Sequence, residues 1–160
     1  MIAADLGIDR IASAGEFPGT IRRLAHEPSG PAKYQYLIVS DKPDEAPRAD
    51  LVVIQNFDKA KEKLKKRIRA DVGLEMQISQ ARSMDARAAA KWLGQLRDAY
   101  AFCQLVRCQL VISSGAKSPV EMVSGRSFDA LLSECEIDPA TYWKDLEKWL
   151  ETRLARRVTI

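Results

Sequence analysis

Histidine is the scarcest chemically active residue type in this 160-residue sequence, since His26 stands alone. A zinc or multinuclear metal centre needs several histidines and carboxylates around the ion. The sequence therefore excludes a multi-histidine centre and leaves only an all-carboxylate Mg²⁺ site open. His26 precedes a proline- and glycine-containing segment, residues 27–31, which predicts a loop. We assign no catalytic residue and no metal ligand.

Cysteine is also sparse, and long hydrophobic runs are missing. Cys103, Cys108 and Cys135 are odd in number and lack CxxC spacing, which predicts buried free thiols instead of disulfides or zinc ligands. The longest aliphatic runs, 51–54 and 110–112, fall far short of the roughly 20 apolar residues of a membrane-spanning helix. Asp5 interrupts what would be the apolar part of a signal peptide. We expect a cytoplasmic protein without membrane contact.

Short β-rich segments alternate with helical patterns along the chain. Five runs are predicted strands: Ile2–Ile8, Tyr36–Ser40, Leu51–Gln55, Val72–Ile78 and Gln109–Ser113. Four periodic segments are predicted helices: Asp58–Ala70, Asp85–Val106, Ser127–Cys135 and Pro139–Arg157. Residues 41–47, with two prolines, predict a loop, and a capping box at 118–121 predicts a short turn or helix. The alternation predicts one α/β domain over residues 1–160, with a mostly parallel sheet.

A run of basic residues marks the first predicted helix. Residues 59–69 hold seven Lys or Arg against one Glu, whereas the whole chain carries a net charge of only +3. Such a run is commonly a solvated helix face, and contact with RNA is the alternative. The RNA-binding candidates in this run are Lys63, Lys65, Lys66, Arg67 and Arg69.

The segment after the last predicted strand has the most specific pattern in the chain. It reads Ser113-Ser114-Gly115-Ala116-Lys117-Ser118-Pro119, followed by Glu121 and Arg126. Ligands of α/β folds bind at the carboxyl ends of strands, so the loop amides, Lys117 and Arg126 form a candidate phosphate site. A serine nucleophile is disfavoured because the GxSxG pattern and a nearby histidine are missing; a polar turn is the favoured interpretation.

This segment resembles the C-terminal signature of the ribonuclease P protein component 3 family, the archaeal homologues of the 30 kDa eukaryotic subunit. The strand before it, which contains Glu75, and Arg87 at the start of the following helix are similar to the family too. The resemblance covers about residues 50 to 135. The chain departs from the family pattern at three positions: Val123, Gly125 and Ser127.

The resemblance implies a shortened TIM-barrel-like (β/α) fold of about five to six mostly parallel strands. It implies a protein subunit, not catalytic by itself, of the ribonucleoprotein endonuclease that hydrolyses precursor tRNA to remove its 5′ leader. The implied partners are the ribonuclease P RNA and the ferredoxin-like protein component 2, in a heterotetramer, with precursor tRNA contacted indirectly. No cofactor is implied for this chain, because Mg²⁺ would act through the RNA.

Two other hypotheses stay open at this point. The chain could be an autonomous metal-dependent phosphoesterase in which Asp5 and Glu75 hold Mg²⁺, unless each carboxylate pairs with an arginine. It could also be an interaction scaffold without RNA contact. The three tryptophans lie at core-like helical spacing, which predicts packing and not base stacking: Trp92, Trp143 and Trp149.

Overall fold

Five parallel strands form the centre of the protein. The computed structural model describes residues 21 to 157, so the predicted strand at 2–8 and Asp5 lie outside the described residues. In chain order the strands are β1 (Arg22–Leu24), β2 (Tyr36–Ser40), β3 (Leu51–Val53), β4 (Gly73–Gln77) and β5 (Gln109–Ser113). Each strand pairs in parallel with the next one along the chain. The predicted α/β class and parallel sheet are confirmed.

Four α-helices accompany the sheet in the described part of the chain. They are α1 (Phe57–Arg67), α2 (Ala86–Val106), α3 (Gly125–Glu134) and α4 (Pro139–Ala155). Each begins at a side-chain cap that accepts a backbone N–H of the first turn, a bond that satisfies one of the unpaired amides of a helix start. The capping residues are Asn56, Asp85, Ser124 and Asp138.

The connection between β2 and β3 differs from the expected loop. Residues Pro43–Arg48 form a 3₁₀ helix with proline in its first turn. A 3₁₀ helix rises about 2 Å per residue, so six residues return the chain by about 12 Å. This distance is comparable to the length of a short strand, which explains how so short a connection still joins parallel neighbours.

The predicted apolar faces of the helices form the core. Ala60 and Leu64 of α1 are buried, and so are Trp92, Leu96 and Cys103 of α2. The rings of Phe57 and Phe102 meet edge to face at 5.7 Å, which joins α1 to α2. All three cysteines are buried free thiols, as predicted. No helix among residues 21–157 is long and apolar enough to cross a membrane.

Helix α4 packs along β5 and runs towards the amino-terminal ends of the strands. Its Tyr142 hydroxyl accepts the N–H of Ile112 at 2.8 Å, which satisfies the outer edge of β5. About two turns further along, the ring of Trp149 lies over Gly73 at the start of β4. Arg153 then reaches Asp50, the residue before β3. The tryptophan packing predicted from the sequence is confirmed for Trp149.

Candidate functional site

The motif loop lies where the carboxyl ends of β4 and β5 meet. Ser113 ends β5, and the N–H of Ser79, which follows β4, donates to the carbonyl oxygen of Ser114 at 3.0 Å. Gly115 has a φ of 63°, and a Cβ there would lie only 2.2 Å from the Ser79 hydroxyl. A side chain is therefore excluded twice, by backbone conformation and by contact. The two strand-end loops form one tightly packed unit.

Glu75 stands in the middle of β4 and has no exposed surface. Its carboxylate accepts from Ser113 Oγ at 2.5 Å and from Arg23 Nη1 at 3.0 Å, and the second Arg23 nitrogen, Nη2, bonds the other carboxylate oxygen. Gln77 Nε2 lies 3.4 Å away. A two-pronged arginine contact of this kind neutralises the carboxylate inside the protein. The interpretation of Glu75 as an arginine-paired carboxylate is confirmed.

The Arg23 to Glu75 contact also reports the shape of the sheet. Arg23 is in β1 and Glu75 in β4, with two strands between them. In a flat sheet these positions would be roughly 14 Å apart, and side chains that stand upright on it would not meet. The sheet must therefore curl around the face that carries both residues. Arg23 was not predicted to lie in a strand, because the strands were predicted from apolar runs and Arg23 is charged.

The amides of the motif loop are already bonded within the loop. The N–H of Lys117 donates to Glu121 Oε2 at 2.7 Å, and the N–H of Ala116 donates to Ser114 Oγ at 3.0 Å. A phosphate would have to displace these groups, so the expected amide cradle is not open in this conformation. The side chains of Lys117 and Arg126 are exposed. The polar-turn interpretation is confirmed for Ser114, whereas Ser113 bonds a carboxylate instead of the backbone.

The other motif residues have simple surroundings. Ala116 is fully buried behind the loop, and Glu121 ends the short 3₁₀ helix that the capping box predicts. The Glu121 carboxylate bonds the amide one residue before the predicted cap, Ser118. Arg87 lies in the first turn of α2 and is exposed. His26 is exposed as well.

The seven RNA-binding candidates do not form one surface. Helix α1 follows β3 and leads to the start of β4, so it runs antiparallel to the strands and its last turn lies at their amino-terminal ends. Lys65, Lys66, Arg67 and Arg69 are at or beyond that turn. Lys117 and Arg126 follow the carboxyl end of β5 instead. Two candidates on α1 have acidic partners, Asp44 for Lys63 at 3.3 Å and Glu62 for Lys65 at 2.8 Å.

A second buried charge cluster occupies the amino-terminal ends of the strands. Asp50, only 2% exposed, accepts the N–H of Ile38 at 2.8 Å and pairs with Arg157 at 2.9 Å and Arg153 at 3.4 Å. Burial raises the pKa of the Asp50 carboxyl and lowers the pKa of the Arg153 guanidinium. Arg153 lies in the last turn of α4, and Arg157 follows the end of that helix. Their contact with Asp50 ties the helix to the sheet.

Groups that could bind a metal are scattered in the described chain. Among residues 21 to 157, no three histidine, cysteine or acidic side chains lie close enough together to hold an ion. Glu75, the one described member of the hypothetical Mg²⁺ pair, is bonded to Arg23.

Over residues 21–157 these observations define the class of the protein: an α/β chain with five parallel strands in chain order, one buried charge cluster on a face of the sheet and another at the amino-terminal ends of the strands. The chain matches no protein-family model, no curated protein and no solved structure.

Proposed function

We propose that this chain is a protein subunit of ribonuclease P, of the component 3 type, and that it supports an RNA that cleaves the 5′ leader from precursor tRNA. The observation that carries the proposal is the segment from Leu110 to Arg126, whose residue pattern resembles the family signature. Three small residues of that segment have a structural reason. Gly115 is required by its positive φ, Ala116 is buried, and Ser113 bonds a carboxylate on the neighbouring strand.

The strand order supports the fold that accompanies this function. Parallel strands that pair in chain order, on a sheet that curls, are the arrangement of a (β/α) barrel. We propose a shortened TIM-barrel-like fold in which the Arg23 to Glu75 pair lies on the concave face. Glu75, one of the residues that resemble the family pattern, would thus form an ion pair inside the barrel and take no part in catalysis.

The state of Glu75 supports a division of labour between protein and RNA. A carboxylate that receives two bonds from one arginine and another from a serine has few lone pairs left for a cation. This disfavours the autonomous phosphoesterase hypothesis. In our proposal the chain acts in the cytoplasm, pairs with protein component 2, and leaves Mg²⁺ to the RNA.

Reconstitution of the enzyme tests the proposal. Ribonuclease P RNA, component 2 and this chain would be combined with precursor tRNA, and release of the 5′ leader would be measured with and without the chain. We expect faster cleavage or a lower Mg²⁺ requirement when the chain is present. Equal cleavage in its absence would contradict the proposal, and so would purification of the native protein without any bound RNA.

A second candidate function, a protein-interaction scaffold without RNA contact, is favoured by one observation. The tip of the motif loop exposes apolar side chains, with Val120 at 91% and Met122 at 40%. Exposed apolar residues next to one another are typical of protein contact surfaces. Crosslinking of the assembled complex would separate the candidates, because the scaffold hypothesis predicts crosslinks from this loop to protein and none from the chain to RNA.

A further inference from the structure

Positive charge is concentrated at the amino-terminal ends of the strands. Helices α1 and α2 both end there, and α4 crosses the same region through its contacts with Asp50 and Asp71. We call this region the basic end; its nine cations are Lys65, Lys66, Arg67, Arg69, Arg107, Lys148, Arg153, Arg156 and Arg157. Its seven carboxylates are Glu27, Asp50, Glu62, Asp71, Asp145, Glu147 and Glu151. The excess of two positive charges is most of the net charge of the whole chain, +3.

A groove of about 410 Å³ opens at the basic end, between the last turn of α2 and the side of α4. Three cations line its walls, Arg107, Lys148 and Arg153, together with two carboxylates, Asp71 and Asp145. Neutral hydrogen-bonding groups are contributed by Gln104, Gln109 and Thr152. Backbone hydrogen bonds to Asp71 and Val72 hold Arg69 and Arg107 close to each other. The N–H of Asp71 donates to the carbonyl oxygen of Arg107 at 3.2 Å, and the N–H of Val72 donates to that of Arg69 at 3.3 Å.

The cations of the basic end fall into two groups. Arg153 and Arg157 are paired with buried Asp50, and Arg156 is paired with Asp71 at 3.2 Å. Lys65 is paired with Glu62 at 2.8 Å. Five others are exposed and form no ion pair or side-chain hydrogen bond with the described residues: Lys66, Arg67, Arg69, Arg107 and Lys148. The partial negative charge at a helix carboxyl terminus accounts for cations near the ends of α1 and α2. It does not account for Lys148, which lies in the middle of α4.

We infer that the basic end is the surface that meets RNA, with Arg107 and Lys148 binding backbone phosphates in the groove and Arg69 binding one beside it. This inference rests on the proposed function, which supplies RNA as the polyanion, and it places the contact opposite the motif loop. Recognition would be through phosphates and not bases. The indole N–H of Trp149 is bonded to the Asp71 carbonyl oxygen at 2.6 Å and its ring covers Gly73, so the ring is not free for stacking.

A pair of charge-matched triple variants tests the inference. The first is Arg69→Gln, Arg107→Asn and Lys148→Gln at the basic end. Asparagine is chosen because Arg107 has a φ of 60°, a conformation that asparagine tolerates. The control removes three exposed cations elsewhere that are not RNA-binding candidates: Lys91→Gln, Arg97→Gln and Lys144→Gln. Binding of a ribonuclease P RNA transcript to the full chain would be measured over a series of KCl concentrations.

Each neutralised phosphate contributes about 0.7 to 0.9 to the slope of log affinity against log salt. We expect the basic-end variant to lose roughly 2 to 3 of that slope, and the control to keep the wild-type slope. Loss of slope in the control with an unchanged basic-end variant would refute this inference and leave the proposed function standing. Failure of the wild-type chain to bind the transcript would refute both.

Circular dichroism and thermal melting would show that both variants are folded. If the basic-end triple variant does not fold, Lys148→Gln alone is the second test, because its position is an exposed helix face. It should reduce the slope by about 0.7 to 0.9. A wild-type slope in this single variant would overturn the role assigned to Lys148.

Discussion

The buried pair between Arg23 and Glu75 leads to the most discriminating prediction about the architecture. Glu75→Gln keeps the shape of the side chain and removes its charge. Because the side chains are only 5% and 0% exposed, the buried arginine would lose the carboxylate that accepts bonds from both of its terminal nitrogens. Removing one partner of a buried pair costs about 3 to 5 kcal/mol, out of a typical total of about 5 to 15 kcal/mol. The unfolding equilibrium constant should rise by roughly two to four powers of ten.

Urea unfolding followed by tryptophan fluorescence measures this loss. The matched control is Glu151→Gln, an exposed carboxylate on α4, which should change the free energy of unfolding by no more than about 0.5 kcal/mol. Combining Glu75→Gln with Arg23→Met should lower the free energy of unfolding by less than the sum of the two single changes. The double variant has no buried guanidinium that could lose its carboxylate. A loss of less than about 1 kcal/mol for Glu75→Gln would refute the reasoning that the carboxylate neutralises a buried arginine.

Three further predictions concern packing and reactivity. Tyr142→Phe leaves the buried N–H of Ile112 without its acceptor and should lower the free energy of unfolding by about 1 to 3 kcal/mol in urea titrations. Gly94→Ala should raise the free energy of unfolding by about 0.5 to 1 kcal/mol, and the melting temperature with it, because open space surrounds this position inside α2. Gly115→Ala should lower the free energy of unfolding by at least about 1 kcal/mol, since its Cβ would meet the Ser79 hydroxyl. The three buried thiols should react with a disulfide reagent only after denaturant is added. Burial also raises the pKa of Cys103 well above its ordinary value. Reaction of Cys103 in the native protein would contradict its burial.

Local sequence signals predicted most of the secondary structure. The bounds of β2 and β5 were predicted as they stand, and α2 begins one residue later than predicted because Asp85 is its cap. The missing prediction is β1, three residues long with two arginines, whose strand character depends on its pairing with β2. The predicted loop at 41–47 became a 3₁₀ helix, since proline is well suited to a first helical turn.

The candidate site was predicted less completely. The sequence pattern indicated that Ser113, Ser114 and Gly115 form a turn after a strand, and they do. It treated the basic helix and the motif loop as one RNA-binding set, and the fold separates them because α1 runs antiparallel to the strands. The contribution of Arg107 and Lys148 to the basic end was missed, since neither lies in a run of like charge.

The sequence by itself determined where helices and strands lie, which of their faces are apolar, and which turns need glycine. These properties depend on residues within a few positions of one another, through periodicity, caps and backbone preference. Only the tertiary structure decided that Arg153 meets Asp50 across 103 positions and that Arg23 neutralises Glu75. Such pairings depend on strand order and on the curl of the sheet, which place residues together that are distant in the chain. The same long-range geometry gathers the unpaired cations at one end of the sheet.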